Sequence, residues 1–478
     1  MKKIKLQYHL ICIDNSYFAY DIKKHIVLKL ESDIYDMLFN FLNSDLTETD
    51  ICAIISANSQ LKMYMNAEIL FYVTDISDVE PEFTSGKTAC ISFPTVHDCN
   101  LRCKYCFADH GDNYIGDKRN FNKILIKDIL DFVYFKYFKD FNKYRLDFVS
   151  GGEPLLNFDV IKDTVEIAED LYKKTGKKLD IFLCTNGTIN NHEIWDFLNT
   201  NNINIGISID GDREAHNDVR VYEDGSGSYD DTVGTINTLI KSDKYSAHTK
   251  AAWGLSVING KTKSIKNILL HNRDLGIKHM QMKLVRLEKS HELAISWNNL
   301  EYVLFSYKEL NDYFIKCSKK HDYTDLKAIL NDNDYYGKLV SRIIDGKKVY
   351  RRCIAGIDKI SFDGIGNIYP CDSFVGNSKF IIGNIYTETN DDIKRLFLSG
   401  TVLKRMKCKS CWAKYLCGGD CYHNSYLAND NIFDPDSVFC ELNKRLLEFA
   451  LFLYFEICSN GDLDDLKKYL KIKMRLNN

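Results

Sequence analysis

Apolar residues recur with two different periods along the first 85 residues of the chain. Residues 7–30, QYHLICIDNSYFAYDIKKHIVLKL, contain three short runs of β-branched and aromatic residues, which predict three strands. The next stretches, ESDIYDMLFNFLN and LTETDICAIIS, have helical periodicity, and Thr47 with Asp50 three residues later predicts the start of the second helix. Three strands and two helices predict a winged-helix-like domain over residues 1–85, ended by the linker EPEFTSGK.

Six apolar runs of strand length, with helical patterns between them, lie within residues 86–290. The runs are TACISF, RLDFVS, KLDIFLCT, INIGISID, TKAAWGLSVI and IKHMQMKLV. Repeated strand–helix units predict an α/β fold with a parallel sheet, curled into a partial (β/α)6 TIM barrel. The chemistry of such folds lies at the carboxyl ends of the strands. The stretches CNLRCKYCF, GGEP, TNG and SIDG are found there, at the first four runs.

The remaining chain divides into three parts with different patterns. Residues 291–350 are polar and helical and predict a bridge, and residues 446–478 predict C-terminal helices. Residues 351–445 between them are rich in Gly and Cys and have little periodicity. Such a segment buries little apolar surface, so we expect its fold to depend on metal.

Composition excludes several classes of partner. The net charge of −3 over 478 residues gives no attraction to nucleic acid or to an anionic membrane. The most apolar late stretch, LLEFALFLYFEIC, is too short to span a bilayer and contains Glu448 and Glu456. The N-terminal residues do not resemble a signal peptide, so we expect a cytoplasmic protein.

The 16 cysteines are unusual for a protein of a reducing compartment, where clustered thiols indicate metal binding or catalysis. Cys99, Cys103 and Cys106 lie on one predicted loop. One interpretation is a zinc site completed by a nearby histidine, His97 or His110. The other is a 4Fe–4S cluster with three irons bound by the loop and the fourth iron open to a small molecule.

The spacing C-x3-C-x2-C, with Tyr105 before the last cysteine, resembles the cluster loop of the radical S-adenosylmethionine (SAM) superfamily. The resemblance implies that SAM chelates the open iron and is cleaved to a 5′-deoxyadenosyl radical. It also implies roles for residues in the other motifs. These residues are Gly151, Gly152 and Glu153 of GGEP for the methionine amine, Ser208 and Arg220 for its carboxylate, and Thr185 and Asn186 for the ribose. A plain turn, a solvated arginine and a plain loop are the structural alternatives.

A second cysteine group occupies residues 353–440. Its members are Cys353, Cys371, Cys408, Cys411, Cys417, Cys421 and Cys440. Their spacing resembles the SPASM extension of radical SAM enzymes, which implies two more 4Fe–4S clusters and three in all. By that resemblance Cys408, Cys411, Cys417 and Cys440 hold the outer cluster, and Cys353, Cys371 and Cys421 hold the inner one. A pair of zinc sites is the alternative.

The inner set lacks the fourth cysteine that some relatives have between the first and second ligands. Either Asp358, Asp363 or Asp372, or a cysteine from elsewhere, completes it, or the iron is open to a substrate thiolate. In sulfatase maturases an aspartate at the position resembling Asp372 serves as a base. We therefore expect burial to raise the pKa of Asp372 into a useful range, the alternative being a carboxylate that caps a loop.

The combination resembles maturases of sactipeptides and ranthipeptides, including the SCIFF-type enzymes. It implies a radical SAM peptide maturase that forms a thioether in a ribosomally made, Cys-rich precursor, with the leader bound as a further strand by residues 1–85. We expect a ferredoxin or flavodoxin as electron donor. An enzyme that oxidises Cys or Ser to formylglycine, as anaerobic sulfatase maturases do, is the alternative enzyme. A multi-cluster electron carrier is the non-catalytic alternative.

Overall fold

The computed structural model describes residues 5–72, 82, 88–108, 121–149, 151–242, 245 and 253–476. The front domain consists of strands β1 (Lys5–Leu6), β2 (Tyr8–Ile13), β3 (Ser16–Asp21) and β4 (Ile26–Leu30), helices α1 (Ser32–Asn43), α2 (Glu48–Ala57) and α3 (Ser59–Asn66), and strand β5 (Phe71–Tyr72). Strands β2, β3 and β4 form an antiparallel sheet, which confirms the three predicted strands.

The predicted start of the second helix in the front domain is also confirmed. The Thr47 side chain accepts from the Asp50 amide, and the Asp50 side chain accepts from the Thr47 amide. Helix α3 was not predicted, because only Leu61 and Tyr64 of its eight residues are buried and its apolar period is weak. The predicted linker lies, apart from Glu82, outside the described residues.

A parallel sheet forms the centre of the molecule. Its strands are β6 (Thr88–Phe93), β7 (Lys143–Phe148), β8 (Leu179–Thr185), β9 (Asn204–Ser208), β10 (Trp253–Ile258) and β11 (His279–Leu284). The helices are α4 (Lys123–Phe132), α5 (Phe158–Thr175), α6 (His192–Thr200), α7 (Arg213–Val219), α8 (Tyr229–Lys241) and α9 (Ile265–Asp274). The six strands pair in chain order, so the predicted strands and their parallel direction are confirmed.

Three further helices follow the sheet and form the region predicted as a helical bridge. They are α10 (Leu300–Ser318), α11 (Thr324–Ile329) and α12 (Tyr335–Asp345). The cysteine-rich segment then contributes β12 (Lys359–Phe362), β13 (Asn367–Tyr369), β14 (Gly383–Asn384), α13 (Asp391–Ser399), α14 (Met406–Lys409), α15 (Lys414–Cys417) and α16 (Tyr422–Asn429).

The cysteine-rich segment extends the central sheet, which the sequence patterns do not indicate. Strand β12 pairs in parallel with β6, with Ile360 opposite Ile91, and β13 and β14 continue the sheet to nine strands. The hydrogen bonds of the central sheet therefore cross the predicted domain boundary at residue 351. The run KISF is only four residues long, which is why it is not recognisable as a sheet strand by itself.

The central sheet is strongly curled. Burial lowers the pKa of Lys283 on β11, and the charge of Lys359 on β12 lowers it further. Six inter-strand steps separate these two strands in the sheet order, a distance of about 29 Å in a flat sheet. The two charges influence each other, so the sheet is curled rather than flat.

The chain ends in two helices, α17 (Ser437–Ser459) and α18 (Leu463–Leu476). Helix α17 begins eight residues before the predicted boundary at 445, so Cys440 lies on it rather than in a loop. In the front domain, the Phe18 ring packs 5.4 Å from Phe452 and 5.0 Å from Phe455 of this helix. None of the helices in the described ranges has the length and hydropathy needed to cross a membrane.

The front domain also contacts the cysteine-rich segment. The His9 ring stacks on Trp412, with centroids 3.7 Å apart and planes within 5°. His9 Nε2 lies 2.9 Å from Glu448 Oε1 on α17. Trp412 directly follows Cys411, so one of the predicted cluster ligands is next to the contact between the two regions.

Candidate functional site

The four predicted motifs meet at the carboxyl edge of the central sheet. The glycines of GGEP allow the closest approach there, because a Cβ on Gly152 would overlap the backbone of Asp98, directly before Cys99. The amides of Gly152 and Glu153 donate to the carbonyls of Val96 and Asp98, both at 2.9 Å. The two glycines therefore allow the GGEP turn to lie directly against the cysteine loop.

Glu153 is almost fully buried and receives three hydrogen bonds. Its Oε1 accepts from the Thr185 hydroxyl at 2.7 Å and the Leu155 amide at 3.1 Å, and its Oε2 accepts from the Asn186 amide at 2.7 Å. Burial raises the pKa of Glu153 to about 7, although these hydrogen bonds oppose the shift. Glu153 thus fixes the loop after β8, and it contacts Thr185 and Asn186, the two residues predicted to border the ribose.

Asn186 connects that loop to the cysteine loop. Its side-chain amide donates to Asn100 Oδ1 at 2.8 Å and lies 3.8 Å from the Cys99 sulfur. Ser208, at the end of β9, is buried with its hydroxyl 3.8 Å from the Cys184 sulfur. Thr185 and Ser208, two of the residues predicted to bind SAM, therefore lie at the ends of the adjacent strands β8 and β9. Asn186 joins this strand edge to the cysteine loop.

Arg220 is buried, which rules out the solvated-arginine alternative. Its Nε donates to Asp210 Oδ2 at 2.7 Å, and the Tyr105 hydroxyl donates to the same carboxylate. Asp210 Oδ1 accepts from the Val257 amide at 2.7 Å. Asp210 was missed at the sequence level, although it lies in the SIDG motif, because its partner Tyr105 is 105 residues away in the chain.

A buried histidine supports the same ion pair. His216 Nδ1 accepts from the Asp210 amide at 3.4 Å, and its Nε2 lies 3.1 Å from the Ser228 hydroxyl. Ser228 in turn donates to the Arg220 carbonyl at 3.0 Å. Burial lowers the pKa of His216 to about 4, and the charge of Arg220 adds to the effect. The imidazole is therefore neutral at pH 7.

The three thiols of the first cysteine loop lie close together. Burial raises the pKa of Cys103 to about 12, and the charges of Cys106 and Cys99 raise it further, although Arg220 opposes them. The loop is fixed by backbone hydrogen bonds from residues 102 and 104 to the carbonyls of residues 221 and 219. Three mutually close thiols on one rigid loop fit the predicted ligand set of a 4Fe–4S cluster.

The structure brings the predicted outer cysteines together. Burial raises the pKa of Cys440, and the charges of Asp420, Cys417, Cys408 and Cys411 raise it further. The four thiols come from α14, the turn after it, α15 and α17. The four sulfurs therefore come together from four separate elements, which lie within a stretch of 33 residues from Cys408 to Cys440.

The predicted inner cysteines form a separate group. Burial raises the pKa of Cys371 to about 12. The charges of Asp372, Cys421 and Cys353 act in the same direction, and the charge of Lys359 acts against them. Burial also raises the pKa of Cys353, with Cys421 adding to the effect. The division of the seven cysteines into three and four thus matches the ligand sets that the resemblance implies.

A buried cation lies between the two groups. Burial acts to lower the pKa of Arg352, but the charges of Tyr335, Cys417, Asp420 and Cys421 hold it above its usual range. Its Nη1 is buried without a hydrogen-bond partner in the part of the chain that the structure describes. Such a cation favours thiolates over thiols, so the donor chemistry of both groups fits iron–sulfur clusters.

Among the described residues, no three His, Cys, Asp or Glu side chains converge as ligands of a single metal ion. The thiolates around a cubane cluster lie farther apart than the ligands of a single metal ion, so this finding concerns single-ion sites.

Two of the three candidate acids for the inner set have other partners. Asp363 accepts from the amides of Ile365 and Asn367, the Asn367 side chain and the Tyr369 hydroxyl, at 2.8 to 3.1 Å. Asp372 Oδ1 accepts from the Lys359 ammonium at 2.5 Å. Asp358 is buried directly before β12.

The expected pKa of Asp372 is wrong. Burial does act to raise it, but the charge and hydrogen bond of Lys359, together with the charge of Arg286, hold the pKa well below its usual range. Lys359 precedes Asp372 by 13 residues, and no local sequence pattern indicates that the two side chains meet. The side chain is a carboxylate of low basicity, and it pairs with a cation rather than capping a loop.

Comparison with known proteins matches about a third of the chain to one superfamily. Residues 93–254 match the model of the Radical SAM superfamily. A cysteine-type anaerobic sulfatase-maturating enzyme of Clostridium novyi is 26% identical over 372 residues, which are 74% of this chain and 93% of that protein. The radical SAM cyclopropyl synthase TigE of Paramaledivibacter caminithermalis is 24% identical over 381 residues, 76% of this chain and 74% of that protein.

The fold is also found among solved structures. The structure of native anSMEcpe with bound AdoMet superposes with a TM-score of 0.62 at 18% identity. It covers 79% of this chain and 100% of the other. At this identity the likeness concerns the fold alone.

Proposed function

We propose that this chain, whose residues 93–254 match the Radical SAM superfamily model and which is similar to anaerobic sulfatase maturases, is a radical SAM peptide maturase that forms thioethers. The bond would join the sulfur of a cysteine to a carbon of another residue in a ribosomally made precursor. The enzyme would hold SAM and three 4Fe–4S clusters and would receive electrons from a ferredoxin or flavodoxin.

The observation that carries this proposal is the composition of the inner cysteine set. Cys353, Cys371 and Cys421 form a set of three, while the carboxylates of Asp363 and Asp372 are engaged by other partners. A cluster held by three cysteines has a coordination position for a substrate thiolate. Thioether formation needs the substrate sulfur held in place and retained, whereas formylglycine formation from cysteine expels it.

The residues at the sheet edge have distinct proposed tasks. Glu153 accepts from the amine of SAM, Ser208 and Arg220 bind its carboxylate, and Thr185 and Asn186 border the ribose. When bound, SAM and the clusters would supply two things: the radical that takes a hydrogen atom from carbon, and the acceptor of the electron that is released as the carbon–sulfur bond forms. The thiol proton would go to solvent. The low basicity of Asp372 assigns it to positioning Lys359 rather than to proton abstraction.

The front domain is the proposed site of leader binding. Among the described strands, β4 pairs only with β3, so its other edge has backbone groups available for a further strand. The domain contains no candidate ligand cysteine, so it contributes binding rather than chemistry. Removing residues 1–85 should impair modification of the full-length precursor and leave uncoupled SAM cleavage measurable. Normal rate and affinity in the truncated enzyme would refute leader binding by this domain.

A formylglycine-forming activity is the second candidate, supported by the 26% identity to the sulfatase-maturating enzyme over 93% of its length. Product mass separates the two activities. The reconstituted enzyme is incubated with SAM, dithionite and the cysteine-containing precursor encoded nearest to its gene. We expect the peptide to lose two hydrogens with its sulfur retained. A product that has lost sulfur would refute thioether formation and support the second candidate.

The proposed thiolate position is tested by spectroscopy. A precursor with selenocysteine in place of the reacting cysteine should change the electron paramagnetic resonance signal of the inner cluster. A Cys408→Ser, Cys411→Ser variant, which alters only the outer set, is the matched control and should give the same selenium-dependent change. An unchanged inner signal on peptide binding would mean that the sulfur is delivered in another way.

A further inference from the structure

A buried aspartate joins Arg220, which is assigned to the SAM carboxylate, to the first cysteine loop. Asp210 is 3% exposed, and its Oδ2 accepts from Arg220 Nε at 2.7 Å and from the Tyr105 hydroxyl. Its Oδ1 accepts from the amide of Val257, on β10, at 2.7 Å. One carboxylate therefore holds both Arg220 and the cysteine loop in a fixed relation to the central sheet.

The Arg220 side chain is oriented by these contacts. Its Cζ atom lies 5.4 Å from the centroid of the Tyr105 ring, so the ring lies against the guanidinium. Asp210 accepts from the Nε–H, and the guanidinium makes no other hydrogen bond within the described ranges. The two terminal nitrogens are thus left for another group, and such a pair binds a carboxylate through two parallel hydrogen bonds.

The backbone joins Arg220 to the cysteine loop a second time. The two amides that flank Cys103 donate to the two carbonyls that flank Arg220, at 2.7 and 2.9 Å. A proposed cluster ligand and the arginine are therefore directly opposite each other in a short pairing of two segments. From the other side, the Ser228 hydroxyl donates to the Arg220 carbonyl at 3.0 Å. Both the main chain and the side chain of Arg220 are thus held in place.

We infer that Asp210 and Tyr105 are positioning residues of the SAM site, which hold Arg220 in the orientation that binds the methionine carboxylate. The inference rests on the proposed assignment of Arg220 to that carboxylate. Fixing a long side chain costs rotamer entropy, so a side chain that is already ordered in the folded protein binds its ligand more tightly. Because Tyr105 belongs to the cysteine loop, the same contacts also fix the carboxylate site relative to the cluster ligands.

The test measures SAM binding by the reconstituted full-length enzyme, without turnover. Equilibrium dialysis of labelled SAM against the oxidised enzyme gives Kd, and iron content shows that each variant carries its clusters. Tyr105→Phe removes only the hydroxyl and should raise Kd about 3- to 10-fold. Asp210→Asn keeps the size of the side chain but weakens its hold on Arg220, and it should raise Kd about 10- to 100-fold.

Tyr144→Phe is the matched control for the loss of a buried hydroxyl. The Tyr144 hydroxyl donates to the Phe138 carbonyl at 2.8 Å, at the start of β7 and thus at the end opposite to GGEP. Its removal should lower the stability of the fold as Tyr105→Phe does, but it should leave Kd for SAM unchanged.

A double variant tests whether Tyr105 acts through Arg220. Arg220→Lys keeps the charge beside Asp210 but loses the forked geometry, so it should by itself weaken SAM binding about tenfold. Adding Tyr105→Phe should then cause little further loss, because the guanidinium that the hydroxyl helps to orient is absent. Two full and independent losses in the double variant would overturn the inference.

Two further results separate this inference from the proposed function. Unchanged SAM affinity in Tyr105→Phe and Asp210→Asn, with weakened binding in Arg220→Lys, would show that the contacts are structural only and would overturn the inference. Unchanged affinity in Arg220→Lys would refute the assignment of Arg220 to the SAM carboxylate. A product that has lost sulfur would refute thioether formation alone, since SAM binding is measured without peptide.

Discussion

The central sheet and the cysteine-rich segment are both built around cysteines, but they obtain their order in different ways. In the sheet, six strands of five to seven residues bury aliphatic side chains against the flanking helices, and the three cysteines lie on one loop at the edge of that core. In residues 351–440 the strands have two to four residues and two of the helices have only four.

The segment has a small core of its own. That core consists of Ala355, Phe374, Phe380, Phe397, Tyr422 and Ile432, with Cys353 and Cys371 packed against it. Cys103 of the first loop packs against the large core in the same way, so the two regions differ in the size of the core beside the proposed ligands. Loss of metal should therefore remove an activity in one region and a structure in the other.

The largest effect is expected from the first cysteine loop. Replacing Cys99, Cys103 and Cys106 together by Ala should abolish SAM cleavage while about eight of the twelve irons implied by three 4Fe–4S clusters remain. The measurement is iron content with 5′-deoxyadenosine formation after anaerobic reconstitution. The triple variant Cys408→Ala, Cys411→Ala, Cys417→Ala is the control for iron loss at another site. Cleavage at the wild-type rate without the first loop, or a plateau near four irons in wild type, would contradict the assignment.

Metal removal should expose the difference between the two regions directly. In the metal-free protein, trypsin should cut at the exposed Lys404, Lys407 and Lys409 at least about tenfold faster than in the loaded protein. Lys173 and Lys174, equally exposed at the end of α5, are the matched sites in the sheet region and should be cut at the same rate in both states. Equal protection of both regions without metal would show that the small core suffices.

Within the sheet region, stability should depend on a polar network rather than on metal. Replacing Asp210 by Ala leaves Arg220 buried without its partner, and a loss of about 3–5 kcal/mol in the free energy of unfolding is expected. The double variant Asp210→Ala, Arg220→Met should be less destabilised than Asp210→Ala alone. Urea denaturation of the metal-free protein provides the measurement, and additive losses would contradict the ion pair.

The smallest effect is a pH dependence from His216. Its pKa of about 4 in the folded protein lies below the unfolded value of 6.5, so the unfolded state binds more protons between these values. The contribution of His216 is complete above pH 6.5 and is lost as the pH falls toward 4. His216→Asn should flatten the fall of melting temperature over this window. His321→Asn, at an exposed histidine, is the control, and equal slopes in both variants would refute the assignment.

Sequence patterns predict those features that depend on neighbouring residues. The six sheet strands, the capping residues Thr47 and Asp50, and the cysteine spacings are all local, and the structure places them as expected. The features that were missed depend on contacts between distant residues. Asp210 meets Tyr105 across 105 residues of chain, and Lys359 reaches Asp372 because β12 pairs with β13.

The sheet extension illustrates the same limit. Strand β12 becomes a strand because β6, some 270 residues earlier, offers it an edge, as the pairing of Ile91 with Ile360 shows. A four-residue run has too little periodicity to reveal this on its own.

The docking of the front domain has a consequence for how the protein is made. The His9 and Phe18 rings lie against Trp412, Phe452 and Phe455, so the front domain leaves the ribosome long before the residues that it packs against are made. At about 5–20 residues per second, the roughly 400 intervening residues take on the order of 20–80 seconds to translate. For that time the apolar face of the front domain is uncovered in the nascent chain, where it is a ready target for a chaperone.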